Sequence, residues 1–173
     1  MKNFKFAPSS LFFCLVVSIL FMSSAVTMAQ KANFAGSWKL NEVKSPTPEG
    51  GFRMGATKLT ATQDDQKLTI ESTYKGQDGE DMVSKAVYTL DGKSCENLFF
   101  QSMKRKSIAT WSADGKVLTI NSVTLIDRDG ESMEMKSSEV IKLSDDGAEL
   151  HMDSSISTPN GDMKSILVYE KAK

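Results

Sequence analysis

Trp111-Ser112-Ala113-Asp114-Gly115-Lys116-Val117-Leu118-Thr119-Ile120 is the stretch on which the fold turns. Its Asp-Gly pair stands between two runs of apolar and β-branched residues, the strongest short-range signal for an antiparallel hairpin. The pattern recurs. Leu143-Ser144-Asp145-Asp146-Gly147-Ala148-Glu149-Leu150-His151-Met152 repeats it 32 residues later, and Thr62-Gln63-Asp64-Asp65-Gln66-Lys67-Leu68-Thr69-Ile70 is a weaker copy 50 residues earlier. Leu90-Asp91-Gly92-Lys93 keeps only the turn. One hairpin unit reused along the chain predicts a meander of antiparallel strands.

Outward from these turns, strands are expected over residues 56–62, 67–74, 81–90, 93–100, 103–111, 116–126, 131–143, 149–157 and 162–171, after a first strand around Trp38. The connections carry turn chemistry: Gln77-Asp78-Gly79, Asp91-Gly92, Asp114-Gly115, Asp129-Gly130, Asp146-Gly147 and Asn160-Gly161. No apolar period of about 3.6 residues runs through the chain after residue 29. A sheet of about ten strands must curl, and closing it removes the exposed edges. The expected fold is therefore all-β: an up-and-down antiparallel meander closed into a barrel of about 8–10 strands.

Residues 1–29 read as a secretory signal peptide and stand apart from the fold. Lys2 and Lys5 make a positive start, residues 11–22 are an apolar run too short to span a bilayer comfortably, and Thr27-Met28-Ala29 offers a cleavage site before Gln30, with a cut after Ala25 the alternative. Residues 30–173 are then a single domain of 144 residues, long enough to bury about 70% of its unfolded surface. Without Lys2 and Lys5, the 21 basic side chains fall to 19 against 22 acidic ones, a net charge of −3. That balance excludes a basic footprint for nucleic acid or anionic membrane. Cys95 is the one cysteine left, so no internal disulfide can form. An Asn-x-Ser/Thr sequon is also missing, which favours a bacterial secretory setting. The expectation is an exported protein, periplasmic or extracellular, with no integral membrane span once the leader is cut.

Asn33-Phe34-Ala35-Gly36-Ser37-Trp38-Lys39-Leu40 opens the domain, and Val168-Tyr169-Glu170-Lys171-Ala172 closes it. Gly-x-Trp at the start of the first strand resembles the calycin superfamily, the lipocalins and fatty-acid-binding proteins. The two end motifs together resemble the fatty-acid-binding proteins most sharply, and small exported bacterial lipocalin-like domains share the pattern. The resemblance implies structural roles for Gly36 and Trp38, with the tryptophan packed across the closed end of a lipocalin-like barrel. Two departures accompany it. Residues 42–55 hold Pro46, Pro48, Gly50, Gly51 and Gly55, which reads as a loop where those proteins carry a helical lid. Leu167 stands where they carry an arginine that, with the tyrosine two residues on, holds a carboxylate. Tyr169 is retained, so half of that anchoring pair is missing and a more neutral ligand is implied.

Alternation assigns the inward face of each strand. Met133, Met135, Ser137, Glu139, Ile141 and Leu143 form one inward set; Leu150, Met152, Ser154 and Ile156 another. Met163, Ser165, Leu167 and Tyr169 form a third, and Met82, Ser84, Ala86, Tyr88 and Leu90 a fourth. Bulky groups cluster near strand ends while Met, Ser and Ala fill the middle. A filled core prefers branched aliphatics there, because unpaired buried hydroxyls cost free energy. A cavity tolerates hydroxyls, and methionine gives it an adaptable wall. Loosely packed or exposed serines and methionines are the alternative. Arg105, between outward Lys104 and Lys106, points in, toward either a pairing with Glu139 or a ligand. The candidate ligand contacts are Met82, Ser84, Tyr88, Arg105, Met133, Met135, Ser137, Met152, Ser154, Met163, Leu167 and Tyr169.

Chemistry is poorly served by the rest. His151, the single histidine, lies on an outward face beside Asp153 with no nucleophile in its pattern. Cys95 has no basic neighbour in sequence to activate its thiol. The paired aspartates lack the alternating ligands and distal glutamate of a calcium loop. No catalytic residue, cofactor or metal is expected. Two functions remain: a lipid-binding-type carrier of a small hydrophobic or amphipathic ligand among Met and Ser side chains, or a non-enzymatic envelope interaction module with a filled barrel.

Overall fold

The computed structural model describes residues 30–47, 55–76, 78–100, 102–128, 131–158 and 161–172. The expected leader and residues 48–54 of the Pro/Gly-rich segment lie outside the described residues. Ten strands follow in chain order: β1 (Gly36–Leu40), β2 (Lys58–Gln63), β3 (Lys67–Lys75), β4 (Asp81–Thr89), β5 (Ser94–Phe99), β6 (Met103–Trp111), β7 (Val117–Arg128), β8 (Glu131–Leu143), β9 (Glu149–Thr158) and β10 (Gly161–Lys171). All pair antiparallel in the order β4-β3-β2-β1-β10-β9-β8-β7-β6-β5. Each expected strand is present. Among the described residues no helix is long and apolar enough to cross a membrane.

The chain curls because its first strand pairs with its last: Trp38 lies opposite Lys171 and Leu40 opposite Tyr169. The remaining edges, β4 and β5, meet without a backbone ladder. There the Asn97 amide replaces a rung, its Oδ1 accepting from the Val87 N–H at 2.7 Å and its Nδ2 donating to the Val87 carbonyl at 3.0 Å. The barrel is nearly closed, with one side chain spanning its seam.

The repeated hairpin unit builds one end. In the β6–β7 turn the Ser112 hydroxyl donates to Asp114 at 2.6 Å, Asp114 accepts from the Lys116 N–H, and Ser112 Oγ accepts from the Val117 N–H at 3.0 Å. The β8–β9 turn repeats these bonds with Ser144, Asp146, Ala148 and Glu149. Gly115 and Gly147 take φ values of 69° and 68°, the left-handed region where a Cβ is strained. Asp64 and Asp91 cap the β2–β3 and β4–β5 turns in the same way, accepting from the Lys67 and Lys93 N–H groups.

The segment before β1 plugs this end. Gln63 clamps it at two points, accepting from the Phe34 N–H and donating to the Ala32 carbonyl, while the Ala32 N–H donates to Gly115. Phe34 stacks on Trp111 with centroids 5.7 Å apart, and the Trp38 indole donates to the Phe34 carbonyl at 2.9 Å. Beneath them lie Leu68, Leu118, Ile141 and Leu150, all buried. Trp38 is buried there, as the resemblance implied, and burying an aromatic ring of its size removes roughly 150–250 Å² from water.

Candidate functional site

Above this packed end the interior opens into a cavity of about 450 Å³. Strand alternation explains its wall. Ser72 lies opposite Ser84, and Ser107 opposite Ser122, which in turn lies opposite Ser137; Glu139 lies opposite Ser154. These inward residues form a staggered belt, with Glu139 and Ser154 one inward step along from the Ser107–Ser122–Ser137 row; Ser72, Ser84, Ser137, Glu139 and Ser154 line the cavity itself. Some satisfy one another: Ser107 and Ser122 are buried and joined at 2.8 Å. Beyond the belt, Tyr74, Met82, Phe99, Phe100 and Ile156 form an apolar mouth. Among the described residues Phe100 is the non-glycine residue with positive φ, 46°, and its ring meets Tyr74 edge-on at 5.2 Å and Phe99 at 4.2 Å.

Four charged residues line the cavity, Glu42, Lys75, Arg105 and Glu139, and the two at inward strand positions are Arg105 and Glu139. Arg105, 8% exposed, donates from Nε to Thr124 Oγ1 at 3.1 Å and lies with its guanidinium carbon 3.9 Å above the Phe99 ring. Glu139 is half-buried, and it lines the cavity. Burial pushes its carboxyl above the ordinary 4.5, although Arg105 pulls the other way. Among the described residues no direct ion pair joins the two, in place of the pairing considered from alternation.

Three phenols face the same space. Burial raises the pKa of Tyr74, Tyr88 and Tyr169, and the Glu139 carboxylate adds to each rise, so all three stay neutral donors at physiological pH. Tyr169 stands apart from the other two. It is fully buried and lines the cavity; the Ala56 backbone N–H approaches its oxygen, but the hydroxyl proton has no acceptor. A buried polar atom left in that state needs an explanation.

Of the twelve candidate contacts, nine line the cavity: Met82, Ser84, Tyr88, Arg105, Ser137, Met152, Ser154, Leu167 and Tyr169. Met133, Met135 and Met163 do not. Met133 and Met163 are 39% and 42% exposed, and lie opposite Ile126 and Ile156 near the far ends of β8 and β10. Alternation sets which face a side chain takes but not its height along the barrel, and these strands run 13 and 11 residues. Tyr74, Asn97, Phe99 and Phe100 are wall residues that the candidate set omits. Asn97 and Phe99 lie opposite Arg105 and Met103, so the inward parity of Arg105 carries the signal for them. Gly55, Ala56 and Thr57 also reach the wall from the irregular segment before β2, where no periodicity exists to read.

Other candidates fall away from the cavity. His151 pairs with Glu149 at 3.0 Å rather than with Asp153. Cys95 is half-buried, its thiol 3.5 Å from the Ser107 carbonyl. Among the described residues no group of three or more His, Cys, Asp or Glu side chains is placed to hold a metal ion.

No protein-family model matches the chain, and no curated protein matches it. A zebrafish ileal bile acid-binding protein, solved in complex with cholic acid, superposes with a TM-score of 0.54 at 17% identity. The match covers 80% of this chain and 98% of that one. The likeness is one of fold: both chains form an up-and-down antiparallel barrel.

Proposed function

We propose that the protein is a non-enzymatic carrier that holds a small hydrophobic or amphipathic molecule inside its barrel. The observation that carries this reading is the cavity of about 450 Å³ that opens above the packed end toward an apolar mouth. That volume falls within the range of small-molecule sites, roughly 300–1,000 Å³, and its lining combines apolar wall with a few convergent polar groups. The zebrafish barrel of the same fold, solved with cholic acid, supports the reading. A filled barrel acting only through its outer face has no use for such a space.

We also propose that the protein is exported, with residues 1–29 as its leader, and that the ligand contacts are drawn from the nine candidate residues on the cavity wall. Native mass spectrometry of protein purified from its own host tests both proposals. A polypeptide mass beginning at Gln30, with a discrete added mass that disappears on denaturation, is the expected result. A bare polypeptide mass that stays unchanged after incubation with a lipid extract counts against the carrier. Retention of residues 1–29 in exported material counts against the leader.

A further inference from the structure

We infer that the cavity is built for an amphipath whose head is uncharged and hydrogen-bonding, such as a hydroxyl, ester or amide, rather than a carboxylate or an ammonium. The inference rests on the carrier reading above and deepens it. Its starting point is the buried hydroxyl of Tyr169, which lines the cavity and whose proton has no acceptor. The phenol is a donor throughout the physiological range, because burial raises its pKa further above 10.0. Leaving such a donor unpaired costs free energy that a ligand oxygen at this height recovers.

The charges decide what kind of oxygen. Arg105 is held by the Thr124 hydroxyl and the face of Phe99, and no carboxylate neutralises it directly. Glu139 lines the same space from β8. A ligand carboxylate drawn to Arg105 shares that space with Glu139. The result is either two like charges in a poorly solvated site or a proton taken up to prevent it. A ligand ammonium drawn to Glu139 meets Arg105 with the same outcome reversed. An uncharged head escapes both penalties. It can accept from Tyr169 and, where it bears a hydroxyl, donate to Glu139. The serines of the belt (Ser84, Ser137 and Ser154) add hydroxyls of either sense to the same cavity.

The test displaces the neutral dye Nile red from the purified protein with three amphiphiles of one twelve-carbon chain: monolaurin, laurate and dodecyltrimethylammonium. At neutral pH the wild type should release dye at a monolaurin concentration at least about tenfold below that needed for either ion. Glu139→Gln, which keeps shape and removes the charge, should bring laurate to within about threefold of monolaurin. Tyr169→Phe should raise the monolaurin requirement by about three- to tenfold, the loss of one hydrogen bond. Wild-type protein that takes laurate as well as monolaurin overturns the inference, and this ranking needs no variant to fold. Dye taken up but displaced by none of the three overturns it as well. Failure to take up dye at all overturns instead the carrier reading beneath it.

Discussion

The two ends of this barrel are cut from the same strands and obey opposite rules. At the packed end, short capped turns bring Trp38, Phe34 and Trp111 into contact, and the carboxylates are held ionised. Asp64, Asp91, Asp114 and Asp146 all have their pKa lowered, each by hydrogen bonds from turn N–H or hydroxyl groups. At the open end, the interior carboxyl of Glu139 has its pKa raised by burial. One end donates hydrogen bonds to its acids, while the other removes water from its acid; each end holds one buried donor without an acceptor, Trp111 Nε1 at the packed end and the Tyr169 hydroxyl at the cavity. The difference separates a region organised for stability from one organised around a space.

Substitutions at each end should break this contrast in different ways. Trp38→Ala at the packed end should cost about 3–5 kcal/mol, because it empties a fully buried aromatic site. Urea denaturation measures this, and a cost under about 1 kcal/mol would contradict the plugged end. At the seam, Asn97→Ala removes both bonds to Val87 and should cost about 1–2 kcal/mol. Hydrogen exchange offers a sharper reading there, since the Val87 N–H should lose protection while the Ile70–Ala86 region keeps it. Unchanged protection at Val87 would mean the side chain does not serve as a rung.

Smaller effects come from within the cavity. Met152→Trp adds bulk to a cavity wall, so it should cost less than about 1 kcal/mol while abolishing ligand uptake. A filled core would lose about 1–3 kcal/mol to the same change. A stable Met152→Trp variant that still binds ligand would sink the cavity assignment.

pH distinguishes the two ends most finely. The folded chain keeps a proton on Glu139 in a window above 4.5 where the unfolded chain has lost it. Wild-type stability should therefore fall as pH rises from 4.5 toward the raised folded value, and then level off. Tyr74, Tyr88 and Tyr169 share the cavity with Glu139, and their raised pKa keeps them protonated throughout that window. Glu139→Gln should remove this slope in a series of pH-dependent denaturation curves. The turn aspartates work in the opposite direction: their contribution is present above 3.8 and is lost as pH falls below it. A slope that persists in Glu139→Gln would place its origin elsewhere.

The sequence by itself determined the strand count, the meander, the Asp-Gly turns at 91–92, 114–115 and 146–147, and the inward parity along β4, β8, β9 and β10. These are local properties. Asp-Gly chemistry sets a turn within four residues, and a period of two sets a face without reference to any distant partner. Only the tertiary structure decided how high each inward residue stands, because height follows from strand register and from the tilt that closure imposes. Met133 and Met163 therefore share the face of Met152 yet stand exposed, while Phe99 and Phe100 reach the mouth from a hairpin read only as a strand and its turn. Closure also placed Asn97 against Val87 across the seam, and it set Arg105 and Glu139 in one cavity without direct contact. Such pairings join strands that are not hydrogen-bonded neighbours, and they exist only once the sheet has curled.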